Sequence, residues 1–494
     1  MTTPANPIDI DLPEHGAPAL TPKQRMAIPR QSMPEQAPEV RATNFDEVNF
    51  GLTPLAARLE ALRCLNCKNQ PCRDGCPVMV RIPQFMTKVA EGDFAAAIRI
   101  IKGDNALPAV TGRVCPQEVQ CEKLCTLGKK GESVAIGRVE RFLADWERTQ
   151  GSSAIIEAPQ KTHKKVAIVG AGPAGLTAAA DLVRMGHEVD IYEALHRPGG
   201  VLVYGIPEFR LPKAIVDAEV KALEKAGVRI HTSVVIGQTI GVDELLETHD
   251  ALFVATGAGL PTFMNLPGEN LNGVYSANEY LTRVNLMRAY QFPFADTPIA
   301  KSKRVAVVGG GNVAMDAART AKRLGAEHVY LVYRRARAEM PARVEEIHHA
   351  EEEGIEFMLL HNPIAYEGDE SGRVRQAKLE AMALGEPDAS GRRRPMPTGE
   401  IVELPVDTVV VAIGNGPNPL VPRTTPGIKT KRRGNILAEE GTGKTTMKGV
   451  WAGGDIVLGA ATVILAMGAG RAAARSIDDY LTTGVWTEPV IAES

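Results

Sequence analysis

The chain has 494 residues, 44% of them hydrophobic and 23% charged, with a formal net charge of -3. That length exceeds what one compact domain normally uses, and the near-neutral charge gives no electrostatic basis for holding nucleic acid or a membrane surface. The start, MTTPANPIDIDLPEH, has neither a basic cluster nor an apolar core, and the longest weakly polar run, 456–470, is too short to span a bilayer. The expectation is a cytoplasmic protein with protein and small-molecule partners.

Residues 1–45 carry Pro13, Pro18, Pro22, Pro29, Pro34 and Pro38 and read as an extended arm lying on another surface. From 46 to 150 come short helical patterns: Ile82, Phe85, Met86 and Val89, then Phe94, Ala97, Ile98 and Ile101, recur at spacings of three and four. This reads as a small α-helical domain. A polar linker at 151–165 follows, after which the pattern becomes strand, glycine turn and helix. That pattern occurs twice, at 166–193 and 305–335, as two copies of one βαβ unit. The fold class expected is therefore α/β, with two Rossmann-like, three-layer dinucleotide-binding domains, one inserted in the other, behind the helical domain. The inserted domain is expected at 300–407, with the outer one at 160–299 and 408–494. The basic runs Arg392, Arg393, Arg394 and 429–433 read as solvated faces.

All seven cysteines fall between Cys64 and Cys125, so they form one functional unit. Their order is Cys64-x2-Cys67-x4-Cys72-x3-Cys76-Pro77, then Cys115, Cys121 and Cys125. Thiolates close together on tight loops suit a soft iron-sulfur centre, and the cysteine followed by proline matches the end of a ferredoxin-type run. Structural zinc is the alternative, although only Cys64 and Cys67 have the spacing of a zinc knuckle. Two 4Fe-4S clusters need eight ligands, one more than the thiols supply.

A dinucleotide pyrophosphate needs close backbone approach and a helix start whose N-H groups face it. Gly170, Gly172 and Gly175, with Pro173 and Ala174 opening the helix, supply the first such turn, and Glu193 ends the next strand, where it can bond a ribose hydroxyl. FAD is the expected occupant. Near the C-terminus a strand runs into Gly454 and Asp455, followed by a small-residue helix from Thr462. This resembles the second flavin motif of the two-dinucleotide-domain flavoproteins, which implies that Asp455 meets the ribityl chain and that the helix dipole faces the flavin ring. The second turn has Gly309, Gly310 and Gly311, then Asn312, Val313 and Ala314. Its strand ends in Tyr333, Arg334 and Arg335 rather than an acid, and guanidinium there suits the 2′-phosphate of NADPH. The turns Thr256-Gly257 and Ala412-Ile413-Gly414 resemble the domain crossings of the same superfamily.

The motifs ALRCLNCKNQPCRDGCPV, TGRVCPQEVQCEKLCTLG, VAIGRVERF, VGAGPAGL, RPGGVLVYGIPEFRLPK, GGGNVAMDAAR and VWAGGD occur in this order. In that combination the chain from about residue 44 resembles the small subunit of NADPH-dependent glutamate synthase. The wider group includes the N-terminal half of dihydropyrimidine dehydrogenase and the large subunit of the bifurcating NADH-dependent ferredoxin:NADP oxidoreductase. The arm PRQSMPEQAPEVRATNF looks closer to glutamate-synthase-like homo-oligomers and bifurcating members. The resemblance implies FAD, NADPH and two interleaved 4Fe-4S clusters: Cys64, Cys67, Cys72 and Cys125 hold one, and Cys76, Cys115 and Cys121 hold the other with Glu140 as eighth ligand. It also implies that Arg197, Gly199, Gly200 and Arg210 lie near the flavin, with no acid-base residue required. Electrons would pass to a large glutamate synthase subunit, or an equivalent acceptor, in a hetero-oligomer that makes glutamate from glutamine and 2-oxoglutarate. The alternatives are a bifurcating or transhydrogenase-type subunit, a pyrimidine-reducing partner, and a zinc-stapled scaffold without activity.

Overall fold

The computed structural model describes residues 12–14, 16–151, 160–388 and 391–491. The first eleven residues of the arm and residues 152–159 of the linker lie outside them.

The helical part begins at α1 (Pro54–Leu62), where Pro54 fits the first helical position and Thr53 Oγ1 accepts the Ala56 N-H at 3.2 Å. Helix α2 (Ile82–Ala90) buries Ile82, Phe85, Met86 and Val89, and α3 (Phe94–Asp104) buries Ala97, Ile98 and Ile101, the stripes their spacing dictates. Helices α4 (Pro108–Val114) and α5 (Ile136–Thr149) cross where Gly112 lets the backbones meet. A Cβ at Gly112 would lie 2.6 Å from the Arg141 amide nitrogen. The described part of the arm lies along this domain. Arg25 donates to the Leu62 and Cys64 carbonyls at 2.9 and 3.1 Å, and the Gln31 amide donates to Glu60 at 2.7 Å.

The first dinucleotide unit runs β1 (Lys165–Val169), α6 (Pro173–Arg184), β2 (Glu188–Glu193), β3 (Arg229–Thr232) and β4 (Ala251–Val254). The second runs β5 (Val274–Ser276), α7 (Ala277–Asn285), β6 (Arg304–Val308), α8 (Asn312–Arg323), β7 (His328–Tyr333), α9 (Val344–Glu352) and β8 (Glu356–Leu359). An antiparallel sheet of β9 (His361–Gly368), β10 (Val374–Pro387) and β11 (Arg393–Pro405) follows, then β12 (Thr408–Val411). The chain finishes the first unit with β13 (Val450–Ala452) and α10 (Val463–Thr483). The parallel sheets have orders β13-β4-β1-β2-β3 and β5-β12-β6-β7-β8. Both are apolar through their middle strands, as parallel sheets covered on two faces require. The α/β class with one dinucleotide unit inserted in another is borne out. The inner sheet takes strands from outside the 300–407 interval: β5 precedes it and β12 follows it. Strand β12, TVVV, is buried on both faces and pairs with β6, so local pattern alone gave no sign of which sheet it joins.

The arm and the two units meet at a buried ionic knot. Arg41 of the arm pairs with Glu352 and with Glu353 at 3.1 Å. Arg319 and Arg323 of α8 pair with Glu353 at 2.7 and 2.6 Å, and Arg319 also pairs with Glu346 of α9. Arg210, from the first unit, pairs with Asp316 and Glu346, each at 2.8 Å. The Phe209 ring lies 3.8 Å beneath the Arg323 guanidinium. Burial works against ionisation of Glu353, yet Arg323 and Arg319 hold its carboxyl at about 2. A depressed carboxylate contributes fully above its unfolded value near 4.5 and loses that contribution as pH falls through about 2. Replacing Arg319 with Met leaves Glu353 and Glu346 short of a partner. Stability should drop by roughly 3–5 kcal/mol, read as a lower midpoint in thermal or urea unfolding at neutral pH; an unchanged midpoint contradicts this.

Candidate functional site

The thiols fall into two groups. Cys64, Cys67, Cys72 and Cys125 line one small cavity with Leu65, Pro71 and Thr126. Thr126 adds a contact the sequence did not signal, its hydroxyl accepting from Cys67 Sγ at 3.3 Å. Burial pushes the Cys64 thiol up to about 11 and Cys72 to about 12. These groups are therefore protonated thiols until a metal displaces the proton. Cys76, Cys115 and Cys121 form the second group. After burial, the charge of Glu140 is among the influences raising all three thiols, so the carboxylate lies within electrostatic reach of the trio. Asn105 Nδ2 donates to Glu140 Oε1 at 2.8 Å and the Thr111 hydroxyl donates to the same oxygen. Burial raises Glu140 to about 7, with the Thr111 and Asn105 bonds opposing. A soft four-thiol set beside a second set of three thiols and a carboxylate fits two iron-sulfur clusters.

The first glycine turn is fixed by sterics. Gly170 has φ +107° and a Cβ there would lie 2.5 Å from the Ala255 carbonyl oxygen; a Cβ on Gly175 would lie 2.0 Å from the Gly170 oxygen. Gly172 faces open space instead, at the N-terminus of the twelve-residue α6. That opening is what a pyrophosphate would fill. Glu193 is buried and accepts the Ala171 and Leu195 N-H groups at 2.8 and 2.9 Å. Thr256 Oγ1 and Asp455 Oδ1 are among the buried oxygens that have no partner among the described residues. Burial raises the Asp455 carboxyl to about 6, although the Ala461 N-H lowers it. An orphaned buried carboxyl oxygen fits a ligand hydroxyl, so the residues present suit FAD. Tyr204, unremarked in the sequence, belongs here: burial lifts its phenol to about 12, with the charges of Asp455 and Glu193 adding.

Gly200 approaches Gly172, its Cβ position 2.9 Å from that Cα, and the Gly199 amide donates to Ala171 at 2.9 Å, so both sit at the turn. Gly257 and Gly414 have φ +69° and +119° with nothing near a Cβ. Arg197 pairs with Asp217 at 2.6 Å. Arg210, expected near the flavin, pairs with Asp316 of α8 in the ionic knot, a buried cation whose two carboxylate partners lie on the second unit.

Helix α10 links these centres. Thr462 caps it, its hydroxyl accepting the Leu465 N-H at 3.4 Å. Gly454 and Gly470 lie against Ala174, the latter with a Cβ position 2.2 Å from the Ala174 oxygen. Two residues before Gly470, Gly468 meets the Pro77 carbonyl beside Cys76, with a Cβ position at 2.9 Å. Arg471 donates to the Val78 carbonyl at 2.9 Å and pairs with Asp181 of α6 at 3.1 Å.

The second turn repeats the sterics. A Cβ on Gly309 would lie 2.4 Å from the Ala412 oxygen, and one on Gly310 2.7 Å from the Tyr333 ring, while one on Gly311 would meet only Pro341 Cγ, at 3.9 Å. Asn312 Oδ1 accepts the Arg343 amide at 2.9 Å, and Val313 is exposed at the helix start. Arg334 is exposed without a partner among the described residues, whereas Arg335 Nε donates to the Arg393 carbonyl at 2.9 Å.

Two glycine turns with a thiol domain packed on the first define a pyridine-nucleotide, flavin and iron-sulfur oxidoreductase. Residues 41–152 match the family described as dihydropyrimidine dehydrogenase domain II, 4Fe-4S cluster, and residues 164–473 match the pyridine nucleotide-disulphide oxidoreductases. The NADPH glutamate synthase small chain of Halomonas elongata is 39% identical over 93% of this chain and 98% of its own length. The chain belongs to the pyridine nucleotide-disulphide oxidoreductases and to the family of these glutamate synthase small chains. The NADP-dependent formate dehydrogenase subunit beta of Moorella thermoacetica is 40% identical over 86% of this chain and 61% of that one. Mycobacterium tuberculosis FprA, solved in complex with NADPH, shares the fold at a TM-score of 0.55 and 23% identity, over 65% of this chain and 85% of its own. Among the described residues no helix is long and apolar enough to cross a membrane.

Because Gly172 faces open space, Gly172→Ala should leave the circular dichroism unchanged while lowering the FAD retained on purification. Full flavin retention would show that the pyrophosphate lies elsewhere.

Proposed function

We propose that this chain is the NADPH-oxidising subunit of a cytoplasmic electron-transfer complex, holding FAD and two 4Fe-4S clusters and delivering electrons to a partner subunit. The observation that carries the reading is α10, which touches the flavin turn through Gly470 and the Cys76 loop through Gly468. Bound FAD would supply hydride acceptance and the clusters one-electron carriage. The chain's own residues hold and orient. The α6 amides and the open face of Gly172 would hold the FAD pyrophosphate, Glu193 the adenosine ribose, and Asp455 the ribityl chain. The N-terminus of α10 would lie toward the ring of a bound flavin, where its positive end would favour negative charge. The α8 amides and Arg334 would hold NADPH. Such a transfer needs positioning and electrostatics, so no side chain has to move a proton.

For the partner, near full-length similarity to the glutamate synthase small chain of H. elongata supports a large subunit that makes glutamate from glutamine and 2-oxoglutarate. The formate dehydrogenase beta subunit favours a second reading, in which the same electron-input unit serves another acceptor. Co-purification from the native host separates the two.

Protein purified without oxygen should hold about eight irons and one flavin per chain, whereas zinc in place of iron would eliminate the reading. Glu140→Ala should alter one cluster's spectrum and spare the other. Two unaltered clusters would remove Glu140 from the ligand set.

A further inference from the structure

The run Arg392, Arg393 and Arg394 reads in the sequence as a solvated face, yet the chain folds it back onto the nucleotide unit. Strands β10 and β11 pair with Pro387 opposite Arg393, which puts the run at the start of β11. From there a series of contacts leads to the second glycine turn. Arg393 Nε donates to Glu339 Oε1 at 2.6 Å, and the Glu339 carbonyl accepts the Tyr333 hydroxyl at 2.8 Å. The Tyr333 ring covers Gly310. On the other side the Arg393 carbonyl accepts from Arg335 Nε, and the Arg335 carbonyl accepts the Leu360 amide at 3.2 Å. The Leu360 carbonyl in turn accepts the Met382 amide of β10 at 2.7 Å. The hairpin is thus fastened to the end of β7, where the adenosine ribose of a bound nucleotide comes to lie in this fold.

The charges there are unevenly committed. Arg335 is held by the hairpin backbone, Arg393 by Glu339, and Arg337 by Glu351. Asp388 accepts the Arg392 amide at 3.0 Å. The guanidinium groups of Arg334, Arg392 and Arg394 are exposed and have no partner among the described residues. A phosphomonoester carries nearly two negative charges, and one exposed guanidinium, screened by salt, is a weak partner for it.

We propose that the start of β11 forms the second wall of the 2′-phosphate site, with Arg392 and Arg394 joining Arg334 on the phosphate and Arg393 fixing the strand through Glu339. This rests on the NADPH reading and adds specificity residues that lie some 60 positions beyond Arg334 in the chain. The site's chemistry is selection of a ribose phosphomonoester over a free ribose hydroxyl.

The test uses the full-length holoprotein and calorimetric binding of two probes, adenosine 2′,5′-bisphosphate and AMP, which differ only in the 2′-phosphate. The wild type should prefer the bisphosphate. The double variant Arg392→Ser/Arg394→Ser should lose about tenfold in bisphosphate affinity, with AMP binding and flavin absorption unchanged and a shallower salt dependence. The corresponding double Lys variant should recover part of the loss. If the double Ser variant binds the bisphosphate as the wild type does while Arg334→Ser does not, the hairpin is no part of the site and the NADPH reading stands. If the wild type fails to distinguish the probes, the NADPH reading falls and the proposal with it.

Discussion

The close approach of α10 to two other backbones is the constraint on which the rest of the molecule depends. Helices rarely come near enough for a carbonyl to occupy the place of a Cβ, and here that happens twice in three residues. Gly470 admits the Ala174 carbonyl from the flavin turn and Gly468 admits the Pro77 carbonyl from the cysteine loop. A side chain at either position would push one centre away, since backbone oxygens cannot swing aside as a rotamer can. Arg471 closes the seam by bonding the Val78 carbonyl and Asp181. The small-residue helix therefore sets the spacing between the flavin turn and the second thiol group.

A second joint, built from charge rather than small residues, places the nucleotide unit. Arg41, Arg210, Arg319 and Arg323 converge with Asp316, Glu346 and Glu353 in a buried knot. Removing such charges from water costs several kcal/mol per ion, and complete pairing returns it. The knot is thus a weak source of net stability and a strict source of register, because each arginine matches carboxylates on another element. The arm enters it through Arg41, which ties the N-terminal region to α9 as well as to the helical domain.

Features set by local sterics or by dense motifs were legible in the sequence. The two glycine turns, the clustered thiols and the helical stripes of α2 and α3 follow from spacing alone. The grouping of Cys64, Cys67, Cys72 and Cys125 around one cavity was implied by resemblance, since spacing does not reveal which thiols interleave. Features set by distant partners were hidden. Strand β12 has no local mark of its sheet, and Arg210 sits in a motif shared with the flavin segment while its carboxylates lie more than a hundred residues on. The Nε bond of Arg335 to the Arg393 carbonyl was equally hidden, since nothing nearby in the chain signals it.

The central claim is that one chain couples a flavin turn to a cysteine centre through the α10 seam, and Gly468→Val tests it most directly. The Pro77 carbonyl oxygen lies 2.9 Å from where the new side chain would begin. Anaerobic stopped-flow mixing with NADPH should show flavin bleaching at the wild-type rate, with electron delivery onward to the iron-sulfur centres and a one-electron dye greatly slowed. Onward delivery at the wild-type rate from a folded, fully loaded variant would contradict the account.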